Sequence, residues 1–231
     1  MDLWDTTSAA LILLVTLDRE LWEIVSISFG VSLQAVLYTL PVSLLLAFVL
    51  AYHAFPGRQL LLSLFNTLWA MPAVVVGLPL YLLLSRSGPF GDLAWLFTQK
   101  AMILGQMLLS IPILVVMSHA AFQGGDMRAW ETALTLGASR WRAALTVMHE
   151  VRFGLAAAVV AAFGRVIAEV GCSMMVGGNI LHHTRNIPTA IALETSKGAF
   201  AQGIALGIVL VVLALGLNMG VAFFRGRGVA R

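Results

Sequence analysis

Charge is scarce in this chain. Only 11% of its 231 residues are Asp, Glu, Lys or Arg, 60% are hydrophobic, and the mean hydropathy is +0.93. A soluble domain of this size could not cover its surface with so few polar groups, so the composition implies an integral membrane protein. Cysteine is nearly absent too. A single thiol, Cys172, excludes an intrachain disulfide framework and a thiolate-ligated metal site within one chain. Lysine occurs only at Lys100 and Lys197, neither of them in a G-x-x-x-x-G-K-[ST] loop, so no phosphate-cradling P-loop is encoded. The net charge of +3 is scattered between hydrophobic runs and forms no stripe, which sets nucleic acid aside. Adjacent His182 and His183 lack the spacing and the companions of a metal site. Neither a metal nor a catalytic residue is expected.

Long apolar runs, by contrast, are plentiful. A spanning helix needs about 20 mostly apolar residues, and five stretches meet this: Ile24 to His53, Leu60 to Leu84, Ala101 to Ala121, Gly154 to Val176 and Ala201 to Phe224. Ahead of them, Thr7 to Glu23 has an apolar run, Ala9 to Val15, followed by Asp18, Arg19, Glu20 and Glu23, as in a helix lying in the membrane interface. The acidic start (Met1, Asp2, Trp4, Asp5) argues against a cleavable signal, and with only Arg225 to Arg231 behind the last span no appended regulatory domain is expected. The reading is a single all-α transmembrane domain over 1–231, with an interfacial helix at 7–23, a membrane core at 24–224 and a polar loop at 126–153.

Sidedness follows from Lys and Arg. With the polar loop inside, Arg58, Arg128, Arg140, Arg142, Arg152, Arg225, Arg227 and Arg231 are cytoplasmic, against Arg19, Arg86, Lys100, Arg185 and Lys197 outside. Eight against five places the N-terminus outside and the C-terminus in the cytoplasm of a plasma (inner) membrane protein. Trp4, Trp22, Tyr52, Tyr81, Trp95 and Trp130 fall near span ends, where aromatic rings meet the lipid headgroups.

Within the spans, Pro41, Pro72, Pro79 and Pro112 each remove an amide donor and crowd an upstream carbonyl, so kinks are expected there. Kinked spans suit a transporter, and they also suit plain packing. In the last span Gly203/Gly207 and Gly216/Gly220 allow another helix to approach closely, from the same chain or a second copy. Arg165 and Glu169 are the acid and base near the middle of a predicted span. Each costs about 2.5–3.5 kcal/mol at the bilayer centre, and their i, i+4 spacing allows a mutual ion pair. They read either as lining or gating a pathway for an anion or as a structural lock. Ser173 follows, then Gly177-Gly178-Asn179, where glycines permit a helix stop and leave backbone amides free for an anion; a simple helix cap and turn is the alternative.

The long polar interruption runs from Ala129 to Phe153. Glu131-Thr132-Ala133 followed by Gly137, then Ala138-Ser139-Arg140-Trp141-Arg142, reads as an exposed helix-turn-helix, though an ordinary amphipathic loop helix has the same pattern. These residues resemble the EAA loop of the permease subunits of binding-protein-dependent ABC importers. Thr132 replaces the usual second alanine, and Val147-Met148-His149-Glu150 departs from the family's closing pattern. Met71-Pro72-Ala73-Val74-Val75-Val76-Gly77-Leu78, Tyr81 to Gly91, Glu169-Val170-Gly171 through Ile180, Thr184-Arg185-Asn186 and Ile187 to Phe200 are similar to tungstate-type permeases of the molybdate/tungstate group.

That resemblance implies a type I ABC importer transmembrane domain, working as a homodimer with two copies of an ATPase subunit and an external oxyanion-binding protein. ATP and Mg would be bound by the ATPase, with no cofactor in this chain. Trp130, Glu131, Thr132, Ala133, Leu136, Gly137, Ala138, Ser139 and Arg140 would couple to the ATPase, Gly137 because a close backbone approach leaves no room for a side chain. The implied cargo is tungstate; molybdate, sulfate or another anion is the alternative. A secondary transporter or channel without an ATPase is the rival of another class, and a membrane enzyme a third. Against the former stand five spans that give no equal inverted halves.

Overall fold

The computed structural model describes residues 3–16 and 18–229, and among them every regular element is helical. In chain order the α-helices are α1 (Leu3–Val15), α2 (Arg19–Tyr52), α3 (Arg58–Ala70), α4 (Ala73–Leu84), α5 (Gln99–Gln123), α6 (Met127–Thr135), α7 (Arg140–Glu150), α8 (Arg152–Ile167), α9 (Gly171–Gly177), α10 (Ile187–Lys197) and α11 (Phe200–Val229), with one 3-10 turn, Gly91–Leu93, between α4 and α5. Of the charges that assign sidedness, Arg231 lies outside the described residues, as do the side chains of Arg225 and Arg227; of the acidic start, Met1 and Asp2 and the side chain of Asp5 lie outside them too.

Three helices, α2, α5 and α11, are long and apolar enough to cross a membrane unbroken. The other two predicted spans are bent pairs: α3 and α4 meet at 93°, and α8 and α9 at 59°. Arg58, at the start of α3, donates to the Leu50 carbonyl near the end of α2 (2.6 Å), while Tyr81, near the end of α4, packs on Phe97 just before α5. The α3–α4 pair therefore runs the length of the bundle.

Of the four prolines expected to kink, Pro72 alone marks a break. The residue before a proline is pushed out of the helical region, and Met71 is extended (φ −66°, ψ 139°). Pro41, Pro79 and Pro112 sit inside uninterrupted helices. The α8–α9 break contains no proline at all, and its cause is the side chain of Glu169, described below. The N-terminal helix also differs from its expected bounds. It stops at Val15, and Asp18 caps a new helix by accepting from the Leu21 amide (3.0 Å), so the charged residues up to Glu23 begin α2 instead of closing α1.

Helices α2 and α5 run side by side in the same direction. The hydroxyls of Thr39 and Ser110 meet at 3.0 Å, and Gln123 donates to the Ala51 carbonyl at 3.1 Å. Val31, Val36, Leu80, Met102, Leu109, Val166 and Cys172 close the central core between α2, α4, α5, α8 and α9. Because Thr39 is level with Ser110, the first ten or so residues of α2 project past the start of α5 by about 15 Å. There Leu21, Ile24 and Val25 pack with Ala10 of α1, Ile187 and Ala190 of α10, and Ala205 and Leu206 of α11. Helix α10 owes its start to a capping box, in which Asn186 accepts from the Thr189 amide and Thr189 accepts from the Asn186 amide, with Pro188 in the first turn.

Candidate functional site

The polar loop folds into a two-helix hairpin at one end of the bundle. Asp126 caps α6 through the Arg128 amide, and Ser139 caps α7 through the Arg142 amide. Between them α6 ends in a Schellman turn: the Ala138 amide donates to the Ala133 carbonyl and the Gly137 amide to the Leu134 carbonyl, both at 3.0 Å. Gly137 takes the left-handed conformation this turn demands, φ +85°. An added Cβ there would meet nothing within 4 Å. Within this chain, then, the backbone angle alone calls for a glycine here, whatever a partner's surface adds.

Around the turn Glu131, Thr132, Leu136, Ser139 and Arg140 are exposed, and Ala133 and Ala138 are half-buried. Leu136 is 82% exposed and Trp141 69%, an uncovered apolar pair on a polar segment. Thr132, Ala133, Leu136 and Ala138 line an open groove of about 480 Å³ together with Asp126, Arg128, Ala129 and Thr146. Small side chains beside an exposed leucine give a shallow concave surface suited to another protein.

Trp130 joins this hairpin to the spans. Its ring packs edge-on against Phe48 (centroids 5.2 Å apart) and lies tilted against Tyr52 (5.7 Å), both at the end of α2, while Phe48 also packs edge-on on Phe122 of α5 (5.6 Å). Aromatic pairs of this geometry contribute about 0.5–1.5 kcal/mol each beyond the area they bury. Where α8 leaves the hairpin, a Cβ on Gly154 would lie 2.7 Å from that of Ala121, so α8 starts in direct contact with α5. A force on α6 thus reaches α2 and α5 through a packed aromatic seat. From sequence Tyr52 is marked only as an aromatic near a span end, and Phe48 and Phe122 not at all; the i, i+4 spacing of Phe48 and Tyr52 near the end of a span was the available signal.

The second expected group lies at the α8–α9 break. One carboxylate oxygen of Glu169 accepts from the amides of Gly171 (2.7 Å) and Cys172 (3.3 Å), capping α9, and the other pairs with Arg165 of α8 at 2.5 Å. Glu169 is therefore the pin that stops one helix and starts the next, and its residue is only 5% exposed. Arg165, whose side chain is 38% exposed, is not enclosed.

Both broken spans restart at the same level. A Cβ on Gly171 would fall 2.6 Å from a Val74 methyl, and one on Gly77 only 3.0 Å from the Cys172 Cα, so α4 and α9 lie in backbone contact. Ser173 and Gly177 are buried; a Cβ on Gly177 would strike the Met102 sulfur at 2.8 Å. Gly178 and Asn179 take left-handed angles, and the turn after α9 is tied by Thr184, which donates to the Gly177 carbonyl (2.6 Å) and accepts from the Ile180 amide (2.9 Å). Of the pathway candidates, Arg165, Glu169 and Ser173 are thus brought to the break, while Gly177, Gly178 and Asn179 form the turn beyond α9. His182 is drawn to Glu23 of α2 (2.8 Å), and Arg185 to Glu20 (3.5 Å).

A family model described as the binding-protein-dependent transport system inner membrane component matches residues 19–224, the whole span-and-hairpin assembly. The chain belongs to this family. The permease is 40% identical over 210 residues to a probable anion ABC transporter permease protein of Haloferax volcanii, covering 89% of this chain and 90% of that one. It is 41% identical over 167 residues to the tungstate uptake system permease protein TupB of Campylobacter jejuni, covering 72% and 70%. A solved structure of the MetNI methionine ABC transporter in inward-facing form superposes with a TM-score of 0.65 at 16% identity, covering 90% of this permease and 94% of that chain. The fold is that of a type I ABC importer transmembrane domain.

Proposed function

We propose that this permease is the membrane-spanning subunit of an ATP-driven importer of tungstate. The carrying observation is the α6–α7 hairpin, a rigidly capped, exposed turn whose Trp130 is seated on the ends of two spans. Such an element has no use in a passive pore and suits a partner that pushes on it. Two copies of the chain form the pathway, and two ATPase subunits, which bind ATP and Mg, dock on the hairpins. The hairpin end is cytoplasmic and the N-terminus external, in keeping with the Lys and Arg balance. An external binding protein delivers the oxyanion to the opposite end, where α1, the start of α2 and α10 form the cap.

Closure of the ATPases drives the hairpins, and Trp130 passes the displacement to α2 and α5. The breaks at Pro72 and Glu169 are the joints at which the half-helices α4 and α9 swing relative to α3 and α8. Rigid packing on either side of a joint turns a small input into a switch between two arrangements. Arg165 and Glu169 hold the second joint together, with Arg165 the nearest cation to an anion passing it.

The reading is tested by elemental mass spectrometry of tungsten and molybdenum in cells lacking the chain, grown at trace levels of both oxyanions. Loss of tungsten alone supports it, loss of both makes it a shared oxyanion permease, and loss of neither overturns the cargo. Copurification of a nucleotide-binding subunit with the permease separates an ABC importer from a secondary transporter.

A further inference from the structure

Helix α3 is unlike the other exposed faces of the molecule. Among the described residues none of its thirteen is buried, yet it forms the hairpin-side half of a span. Its polar residues Gln59, Ser63, Asn66 and Thr67 recur at i, i+4, i+7 and i+8, on one face of the helix, and all four are exposed. The exposed side of α11 is built mainly from Val211, Val212, Leu215 and Met219, the composition lipid tails accept, with Asn218 its one exposed amide among the described residues and no polar stripe.

Among the described residues no other element hydrogen-bonds these four side chains. Asn66 donates to the Leu62 carbonyl (2.7 Å) and Thr67 to the Ser63 carbonyl (2.9 Å), bonds made within their own turn. Facing hydrocarbon, amides and hydroxyls without further partners carry a desolvation cost, so the stripe calls for water. Arg58, at the hairpin end of α3, is the helix's single charged residue, and the helix has no carboxylate to repel an anion. At its far end the surface turns apolar, with Pro72, Val74, Val75, Leu78, Val170 and Met174 exposed around the two breaks.

We propose that Gln59, Ser63, Asn66 and Thr67 form the wall of the inner half of the anion's route, a water-filled lane of neutral hydrogen-bond donors for a hydrated tetrahedral dianion. This rests on the importer reading above. Conduction requires contacts favourable enough to admit the ion and weak enough to release it. A lysine or arginine at each turn would hold a dianion by Coulomb attraction in a low dielectric; amides and hydroxyls replace hydration water and let it go. The apolar surface around the breaks then closes the lane from the far side.

The test is thiol accessibility in the assembled importer, permease with ATPases and binding protein, reconstituted in proteoliposomes. The native Cys172 is 1% exposed and sets the unreactive baseline. Single variants Gln59→Cys, Ser63→Cys, Asn66→Cys and Thr67→Cys are compared with Leu60→Cys and Leu64→Cys, using a membrane-impermeant anionic methanethiosulfonate from the hairpin side. The polar-face thiols are expected to react at least about tenfold faster, since a thiol in apolar surroundings has a raised pKa and little thiolate. Tungstate at millimolar concentration should slow them. Equal rates on the two faces, or no reaction on the polar face, overturn the lane. Tungstate uptake by the unlabelled importer is measured in parallel: uptake with equal labelling rejects the lane alone, whereas faster polar-face labelling without uptake keeps a wet lane and rejects its cargo.

Discussion

Replacing Gly137 separates two reasons for a glycine at the turn where the ATPase is proposed to dock. With φ at +85° and nothing within 4 Å of an added Cβ, the penalty for alanine is the left-handed backbone alone. That is about 1–2 kcal/mol for an L-residue, and at the lower end about a fivefold change in an equilibrium constant. Asparagine visits this region routinely, so Gly137→Asn should lose less than about twofold. Aspartate also tolerates the angle, but it adds a negative charge at the C-terminal end of α6, unfavourable by about 0.3–1 kcal/mol. The assay is affinity of the ATPase subunit for the permease in nanodiscs, with ATP-driven uptake alongside. The expected order of retained docking is Gly, Asn, then Ala and Asp, with Gly137→Asp inserted normally but uncoupled. Equal collapse of all three variants, Asn included, would refute the backbone argument and show instead that the partner's surface leaves no room for any side chain.

Four further outcomes follow from the geometry. Trp130→Ala removes two aromatic contacts from the seat, and a double-mutant cycle with Phe48→Leu should return a coupling of about 0.5–1.5 kcal/mol in thermal unfolding in detergent. Arg165→Ala leaves Glu169 with its amide bonds but no cation; because Arg165 is partly exposed the cost should be about 1.5–3 kcal/mol, and adding Glu169→Gln should recover part of the lost melting temperature. Gly77→Leu forces α4 from the backbone of α9 and should leave inserted protein without uptake; unaltered uptake would show that the two half-helices have room to spare. Thr184→Val removes both bonds that tie the turn after α9, with an expected loss of about 1–3 kcal/mol measured by the same melts.

The chain's sequence by itself determined that it is a membrane protein and where its apolar runs and the polar loop between them lie. Hydrophobic length, Lys and Arg counts and a short local motif are properties of contiguous residues, and contiguous residues are what a sequence displays. Gly137 was legible as a required glycine, although its reason, a positive φ with open space around it, was visible only once the Schellman turn was seen. Four prolines looked equivalent in sequence, yet only Pro72 breaks a span, because only there is the preceding residue pushed out of the helix. The second break belongs to a glutamate that serves at once as cap and ion-pair partner, a dual role set by where the Gly171 amide and Arg165 fall in space. The seat of Trp130 on Phe48 and Tyr52, and the contact of α4 with α9 at Gly77 and Cys172, join residues about 80 to 95 positions apart. No local pattern specifies such pairings; they arise when the helices pack, and tertiary structure alone decided them.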